Sequence, residues 1–371
     1  MGGPVNDKAM TPLAPGAMIG IVGGGQLGRL LALAAGQLGF DVCILCPEEN
    51  CPASRVAAHT IVAAYDDVDA LTALAGICDI VTYEFENVPA RTVELIEQAG
   101  AQVRPSAKAL EMSQDRLTEK DFLNGIGIPT VDYRPIDDAA ALDAALAEFG
   151  GAGLLKTRRE GYDGKGQVRL GRSEDAKADA LALIEGGPCL LEAFAPFERE
   201  ISVIVVRGAE VGGTIGVQTY DAAENQHANG ILVRSTVPAE VSGEIRDAAN
   251  RAGKQLAASL DYIGVLGLEF FVMKDGALLA NEFAPRVHNS GHWTPEACMT
   301  GQFEQHIRAV AGWPLGPVDR IFDVEMDNIL GQDITKIPTG FDPDTRLVPY
   351  GKTEPRAGRK MAHITKRVRR T

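Results

Sequence analysis

Residues 154–170 read LLKTRREGYDGKGQVRL, and the interpretation of the whole chain depends on them. Two short apolar runs flank a segment that carries three glycines and the basic side chains of Lys156 and Lys165. Glycines let backbone N–H groups approach an anion closely, and lysines supply point charges for phosphate oxygens. The stretch therefore predicts a β-hairpin that closes over a phosphate, with an ordinary solvated hairpin as the alternative.

The composition indicates a multidomain globular protein. The chain has 371 residues, 45% of them hydrophobic and 23% charged, which is enough for two or three packed cores. No apolar run is long enough to span a bilayer. A net charge of −14 argues against nucleic-acid binding, because phosphate backbones are held by positive surfaces. Six cysteines occur without a zinc-ribbon spacing or a secretory signal, which predicts buried, reduced thiols in a cytoplasmic protein.

The chain from Met18 onward predicts a parallel sheet. A strand MIGIV, a turn GGGQLG and an apolar-faced helix follow one another, and strands and helices then continue to alternate. Gly23, Gly25 and Gly28 satisfy G-x-G-x-x-G, which predicts an anion at the head of the first helix. Glu48 follows the second strand near the position of a ribose-binding acid, so the anion is either a dinucleotide or a monophosphate.

Further polar residues follow this first region. Glu84 and Glu86 come after a strand, at the sheet edge where open α/β sheets bind ligands, with plain surface acids as the alternative. Two helical segments come next, with a predicted cap at Ser113. Arg116 and Lys120 share a helix face, and a solvated basic surface is the favoured interpretation of that pair.

A second hairpin is predicted by GVLGLEFFVMKDGALLANEF at residues 264–283, with its turn at Asp-Gly. It would bring Glu269 close to Asn281 and Glu282, and such hard oxygen ligands suit magnesium. Two neighbouring carboxylates repel each other unless a cation lies between them. The following stretch RVHNSGHWT is too polar for a core, so this region is predicted to be catalytic.

Together the strings GGGQLGR, YEFEN, GYDGKGQ, NEFAPRVHNSGHWT and AGRK resemble the N5-carboxyaminoimidazole ribonucleotide synthetases, a family of the ATP-grasp superfamily. The resemblance covers residues 18–363 and implies a mixed α/β and α+β fold. Its implied parts are a flexible lead-in (1–17), an N-terminal Rossmann-like parallel-sheet domain (18–115), a small ATP-lid domain (116–195) and a C-terminal catalytic lobe with a basic tail (196–371).

The resemblance implies that ATP phosphorylates bicarbonate to carboxyphosphate, and that the amine of aminoimidazole ribonucleotide is then carboxylated in purine biosynthesis, with release of ADP and phosphate. It also implies two Mg²⁺ ions, with Mn²⁺ as a substitute, and a homodimer. The implied catalytic residues are Lys156, Asp163, Arg286, His288 and Asn289, and the metal ligands are Glu269 and Glu282. The implied ATP contacts are Arg116, Lys156, Gly161, Tyr162, Asp163, Gly164, Lys165, Gly166, Gln167, Glu192, Ala193, Phe194, Ala195, Glu200, His227, Asn281 and Glu282. The implied ribonucleotide contacts are Gly25, Gln26, Leu27, Glu86, Tyr162, Asp163, Lys352 and Arg359.

Three alternatives stay open beside this interpretation. One is another ATP-grasp ligase or transformylase with a different acyl donor, and another is an NAD-dependent oxidoreductase. The third is an inactive paralogue that acts as a scaffold, which is disfavoured because Lys156, Glu269, Glu282 and Arg286 are all present.

Overall fold

The computed structural model describes residues 11–161, 165–171, 175–211, 213–337 and 342–368. Its strands are β1 (Met18–Val22), β2 (Asp41–Cys46), β3 (His59–Val62), β4 (Ile80–Tyr83), β5 (Tyr133–Ile136), β6 (Gly153–Thr157), β7 (Gln167–Leu170), β8 (Cys189–Glu192), β9 (Phe197–Val211), β10 (Thr214–Thr219), β11 (Ala223–Ala228), β12 (Ile231–Val237), β13 (Gly264–Met273), β14 (Leu278–Ala284), β15 (Asp323–Leu330), β16 (Thr345–Pro349) and β17 (Lys360–Val368). Its helices are α1 (Gln26–Gln37), α2 (Val68–Ile77), α3 (Ala90–Gln98), α4 (Ala107–Ser113), α5 (Arg116–Gly125), α6 (Ala139–Glu148), α7 (Asp175–Glu185), α8 (Gly243–Ser259), α9 (Thr294–Ala297) and α10 (Gln302–Val310).

The first sheet is parallel, with the order β3-β2-β1-β4, and it confirms the predicted strand and helix alternation. Its middle strand β1 is buried from Ile19 to Val22, because helices cover both faces of a parallel sheet. The helix α1 packs on one face through Leu31 and Ala35, and α2 packs on the other through Leu71. This arrangement points the glycine turn at the head of α1 toward the rest of the molecule.

The small sheet has the order β5-β8-β6-β7 and is antiparallel. It contains the hairpin predicted at residues 154–170, whose pairing is confirmed: Lys156 pairs with Gln167, and the Thr157 N–H donates to the Gly166 carbonyl over 2.8 Å. Gly166 has φ +67°, and a Cβ there would lie 2.6 Å from the Thr157 hydroxyl, so only glycine suits this position. The tip residues 162–164 lie outside the described part of the chain.

The large sheet runs in the order β14-β13-β9-β11-β12-β15-β17-β16, and β10 pairs with the later part of β9 on the same edge as β11. Its strand β9 is buried on both faces, and alternate residues point to opposite sides. Val203 and Val205 belong to the core formed with α8, whereas Ile204 and Val206 belong to the core formed with α10. The predicted hairpin β13–β14 is confirmed, and its pairing is irregular between Leu268 and Phe270, which sets Glu269 at a bulge.

The segment between the first and small sheets differs from its prediction. Asp115, and not Ser113, caps the second helix: its carboxylate accepts from the Leu117 and Thr118 N–H groups, while Ser113 ends α4. Leu123 of α5 packs in the core of the large sheet beside α8, although the helix was assigned to the lid. The domain boundaries themselves stay predictions.

Part of the predicted flexible lead-in is fixed against the end of α10. The Leu13 N–H donates to the Ala311 carbonyl over 2.9 Å, and the Trp313 indole N–H donates to the Leu13 carbonyl over 2.7 Å. Residues 1–10 lie outside the described ranges. None of the helices in those ranges is long and apolar enough to cross a membrane.

The buried His306 of α10 joins the first sheet to the large sheet. Its Nδ1 accepts from the Val265 N–H over 3.1 Å, so its Nε2 carries the proton and donates to the Thr82 hydroxyl at 2.8 Å. Burial lowers the pKa of His306 to about 3. The unfolded chain therefore binds an extra proton at this side chain between about pH 6.5 and pH 3, and stability falls as the pH falls through that window.

We expect His306→Gln, whose amide can make both hydrogen bonds, to weaken this pH dependence. Between pH 6.5 and 5.5 the wild type should lose about 1 kcal/mol of unfolding free energy more than the variant. Urea unfolding at a series of pH values measures the difference. The control is His59→Gln at an exposed position, and equal pH profiles for wild type and His306→Gln would contradict the prediction.

Candidate active site

One cavity of about 1020 Å³ lies between the three sheets, and a smaller pocket of about 420 Å³ adjoins it. The two share Leu154, Lys156, Gln167, Phe197 and Phe271, so they form one continuous cleft. The predicted site residues that line the larger cavity are Gln26, Leu27, Glu86, Arg116, Lys156, Gly161, Lys165, Gln167, Glu200, His227, Glu269, Asn281, Glu282, Arg286, His288, Asn289, Lys352 and Arg359. Those that line the smaller pocket are Lys156, Gln167, Glu192, Ala193, Phe194 and Ala195. The predicted contacts Tyr162, Asp163 and Gly164 lie outside the described residues.

Two lysines share one buried carboxylate at the mouth of the small sheet. Glu192 of β8 binds the ammonium of Lys156 at 2.6 Å and that of Lys120 at 3.0 Å. Burial raises the pKa of Glu192, but the two ammonium groups outweigh burial and bring it to about 2. The solvated basic face assigned to α5 is therefore wrong: Lys120 is only 1% exposed and was missed as a site residue. The Glu192 carboxylate is engaged with the two lysines and also lines the smaller pocket, and its contact with the adenine edge stays a prediction.

Two other side chains of α5 bind β14. Arg116 donates to a Glu282 carboxylate oxygen over 3.0 Å and to the Gly161 carbonyl over 3.2 Å. Glu119 accepts from the Phe283 N–H over 2.7 Å. Burial, together with repulsion from Glu282, raises the pKa of Glu119 to about 8. Glu119 was also missed, although its place beside Arg116 and Lys120 on one helix turn was visible in the sequence.

The predicted metal ligands lie together on the β13–β14 hairpin. Burial and then repulsion from Glu282 raise the pKa of Glu269 to about 7. The side-chain oxygen of Asn281 is buried and has no hydrogen-bond partner. Within the described ranges no set of three or more His, Cys, Asp and Glu side chains is arranged to hold a metal. Two crowded carboxylates and one orphaned amide oxygen nevertheless fit Mg²⁺, provided that phosphate oxygens or water complete the octahedron.

Arg286 and Glu86 bind each other across the cavity. The guanidinium makes two hydrogen bonds to the carboxylate, one of them over 2.7 Å, in the fork geometry typical of such pairs. Burial raises the pKa of Glu86, but Arg286 outweighs it and lowers the value to about 2. The sequence assigned Glu86 to the ribonucleotide and Arg286 to bicarbonate, whereas the structure satisfies each with the other.

The anion at the head of α1 is a carboxylate of the chain itself. Glu84 accepts from the Gly25 N–H over 2.7 Å and from the Gly28 N–H over 2.8 Å. Gly23 has φ +113°, and a Cβ there would lie 2.3 Å from the Glu84 side chain. The Gly25 N–H is therefore engaged by Glu84 in this structure, and a contact of the glycine turn with a substrate phosphate stays a prediction. A dinucleotide phosphate would face the same carboxylate, and Glu48 is exposed rather than turned toward this turn.

A chain of hydrogen bonds joins the first sheet to the end of the large sheet. The Lys352 ammonium donates to the Gln26 side-chain oxygen over 2.6 Å and to the Lys360 carbonyl over 2.7 Å. Gln26 in turn donates to the Asn289 side-chain oxygen over 2.9 Å. Arg359 lies beside them and donates to the Glu354 carbonyl over 2.9 Å. Residues 326 positions apart thus meet at one wall of the cavity.

His227 and Glu200 form the opposite wall. The His227 Nδ1 lies 2.9 Å from a Glu200 carboxylate oxygen. Burial lowers the pKa of His227, but the hydrogen bond to Glu200 and the charges of Glu269 and Glu282 outweigh burial, so the net pKa is raised.

Comparison with known families covers almost the whole chain. Residues 17–114 match the ribonucleotide synthetase preATP-grasp domain, residues 121–303 the ATP-grasp domain, and residues 325–369 the phosphoribosylaminoimidazole carboxylase C-terminal domain. An N5-carboxyaminoimidazole ribonucleotide synthase of Brucella melitensis is 54% identical over 97% of this chain and 99% of its own length. The Bacillus subtilis protein of the same name is 42% identical over 95% of this chain and 91% of its own length.

Solved structures with bound ligands are similar throughout. The Staphylococcus aureus N5-carboxyaminoimidazole synthetase complexed with ADP has 36% identity and a TM-score of 0.91, over 97% of this chain and 95% of that one. The Aspergillus clavatus enzyme in complex with ADP and 5-aminoimidazole ribonucleotide has 29% identity and a TM-score of 0.87, over 95% of this chain and 94% of that one.

Proposed function

Because the chain belongs to the N5-carboxyaminoimidazole ribonucleotide synthase family of ATP-grasp ligases, we propose that its cleft binds ATP and aminoimidazole ribonucleotide at the same time. The reaction is the ATP- and bicarbonate-dependent carboxylation of the exocyclic amine in purine biosynthesis. The observation that carries this proposal is the continuous cleft, onto which Lys156 and Glu192 of the small sheet and Glu269 and Glu282 of the large sheet open.

In the first step a bicarbonate oxygen attacks the γ-phosphorus of ATP. The bond to the β-phosphate oxygen breaks, and carboxyphosphate and ADP result. We assign the offset of charge on the transferred phosphoryl oxygens to Lys156, which lines the cleft, while Lys120 lies behind it on the same Glu192 carboxylate. The apolar smaller pocket beside them, lined by Phe194, Phe197 and Phe271, suits an adenine ring.

In the second step the exocyclic amine attacks the carboxyl carbon of carboxyphosphate. The carbon–oxygen bond to phosphate breaks, the amine loses one proton, and the N-carboxylate and phosphate are released. We assign this step to Arg286, His288 and Asn289, and the pairing of Arg286 with Glu86 holds its guanidinium in a fixed direction. The released phosphate is a sufficient acceptor for the proton.

We assign Mg²⁺ to Glu269, Glu282 and the orphaned oxygen of Asn281. When bound there, divalent metal neutralises charge on the triphosphate. Arg116 holds one carboxylate oxygen of Glu282, and the pairing of β13 with β14 keeps Glu269 at the same cavity wall.

A product assay tests the function directly. We expect ADP release that requires both bicarbonate and aminoimidazole ribonucleotide, with one carboxylated product formed per ADP. Formate in place of bicarbonate, in buffer stripped of carbon dioxide, should give no turnover. Equal turnover with formate would favour a transformylase, and a requirement for NAD would favour an oxidoreductase.

Lys352→Ala should chiefly raise the KM for aminoimidazole ribonucleotide, by about tenfold, because an ammonium beside a phosphate contributes about 1 to 2 kcal/mol. The KM for ATP and the value of kcat should change little. The control is Lys336→Ala, an exposed lysine paired with Asp333. Unchanged kinetics for both substrates would remove Lys352 from the ribonucleotide site.

We also propose that the chain forms a homodimer in the cytoplasm. Exposed apolar side chains at Met299 and Ile321, 68% and 47% exposed, support a surface that a second copy covers. Sedimentation velocity at micromolar concentration is expected to give twice the mass of one chain, and a single-chain mass would contradict it. Cell fractionation tests the compartment.

A further inference from the structure

A line of buried polar side chains runs through the large sheet and ends at His288. Its members are Ser235 of β12, Asn225 of β11, Ser202 of β9 and Ser290, which follows His288 in a short 3-10 turn. Their exposed fractions are all 8% or less. Buried polar groups are costly unless each is satisfied, so a connected line of this kind specifies one arrangement.

The line begins at the Asn225 amide. The Ser235 hydroxyl donates to the amide oxygen over 2.8 Å, and the amide nitrogen donates to the Ser202 oxygen over 2.9 Å. The Ser202 hydroxyl accepts from Asn225, so its own proton is free to be donated. It donates to the Ser290 hydroxyl oxygen over 2.6 Å. The Ser290 oxygen lies 2.8 Å from Nδ1 of His288. In this order each hydroxyl accepts from one side and donates to the other.

The opposite end of the line fixes the same direction independently. The Ser290 backbone N–H points at the His288 Nδ1 over 3.4 Å, and a backbone N–H can only donate. Nδ1 is therefore an acceptor, for the N–H and for the Ser290 hydroxyl. An amide flip of Asn225 would make each serine donate in the opposite direction and would leave Nδ1 as a donor. Nδ1 would then face the Ser290 N–H, which is also a donor. The ring proton is left on Nε2, which lies 3.4 Å from a Glu269 carboxylate oxygen.

Gln302 fixes the backbone of the same histidine. Its side-chain oxygen accepts from the His288 N–H over 2.9 Å, and its side-chain nitrogen donates to the His288 carbonyl over 2.8 Å. With both the main chain and Nδ1 held, the ring has one orientation, and its Nε2–H points toward the cavity side.

We propose that Asn225, Ser202 and Ser290 are positioning residues that hold the His288 ring in one orientation, with Nδ1 as an acceptor and the proton on Nε2. His288 is then a hydrogen-bond donor to an anionic oxygen of bicarbonate or carboxyphosphate, and it is not the base that takes the amine proton. This role for His288 rests on the proposed function, whereas the tautomer rests on the hydrogen-bond geometry alone.

Nitrogen NMR of the full chain with ¹⁵N-labelled histidine tests the tautomer without substrates. The His288 signals, identified by their loss in His288→Gln, are expected to show a protonated Nε2 and an unprotonated Nδ1 at pH 7.5. Protonation at Nδ1, or at both nitrogens, would overturn the proposal even in a fully active enzyme. If the NMR signals show a protonated Nε2 but the product assay finds no carboxylated product, the tautomer is confirmed and the proposed function is refuted.

Asn225→Asp is the decisive variant, because a carboxylate accepts from both serines. The Ser290 hydroxyl then donates to Ser202 and offers a lone pair to Nδ1, against the single 3.4 Å bond from the Ser290 N–H. We expect the His288 proton to move to Nδ1 and kcat to fall by about 100-fold, the effect of losing one aligned donor. Ser290→Ala keeps the backbone N–H donor, so it should keep the Nε2 proton and lose less than tenfold in kcat. The control is Asn328→Asp on β15, two strands from the β11 strand that carries Asn225. The Asn328 amide donates to the Leu232 carbonyl and takes no part in the line, so this variant should change neither the tautomer nor kcat. A folded Asn225→Asp enzyme with the wild-type tautomer and wild-type kcat would refute the positioning role.

Discussion

Glu282→Gln is expected to lower kcat for ADP formation by about 1000-fold, a loss of about 4 kcal/mol of transition-state stabilisation. The amide keeps the shape of the side chain but loses the charge that a divalent ion requires beside Glu269. It also leaves Arg116 without the carboxylate it now binds at 3.0 Å. Steady-state kinetics over a range of Mg²⁺ concentrations measures the effect.

A second readout separates metal binding from a general loss of activity. Electron paramagnetic resonance of Mn²⁺ in the presence of ADP should show weaker binding of the ion to Glu282→Gln than to wild type. The control is Glu325→Gln, another strand carboxylate beside an arginine, which lies on β15 near Arg234. Wild-type kcat for Glu282→Gln at ordinary magnesium would contradict its assignment as a ligand.

Glu192→Gln is expected to lower the unfolding free energy by about 3 to 5 kcal/mol, because it leaves two buried ammonium groups without their counter-charge. Lys120 and Lys156 are 1% and 8% exposed, so water cannot replace the carboxylate. Thermal and urea unfolding of the apo protein measures the loss. The control is Glu148→Gln in the same small sheet region, whose exposed pair with Arg134 should contribute less than about 1 kcal/mol.

ATP should stabilise the Glu192→Gln variant more than it stabilises the wild type. If the lysines bind phosphate, saturating ATP supplies negative charge at the same place and raises the melting temperature of Glu192→Gln by more than that of wild type. An equal shift in both proteins would separate Glu192 from the phosphate site while leaving its structural role in place.

Local features of the fold were predictable from the sequence. The hairpins β6–β7 and β13–β14 follow from turn residues between apolar runs, and the first sheet follows from the alternation of strands and helices. The order β12-β15-β17 was not predictable, because its pairings, such as Val237 with Val324 and Leu330 with Lys360, join residues far apart in the chain and no local signal records them.

Site features that depend on neighbouring residues were likewise predictable, whereas those that depend on contacts between distant residues were not. The turn around Gly25 did predict an anion, but Glu84 could not be identified as that anion, since the two residues meet only after β1 and β4 pair. Lys120 was taken for a surface residue because the burial of a helix face depends on what packs against it. The pairing of Glu86 with Arg286 spans 200 residues, so each was assigned a ligand of its own.

The helix α5 has a mechanical consequence for the enzyme. At one end of a single helical turn Lys120 is anchored to β8 of the small sheet, and at the other Arg116 is anchored to β14 of the large sheet. The two residues are four positions apart, about 6 Å along the helix axis, so one rigid helical turn connects the small sheet to the large sheet. We expect that any swing of the small sheet away from the large one pulls on both anchors together, so that access to the nucleotide and the alignment of Glu282 change in a single movement.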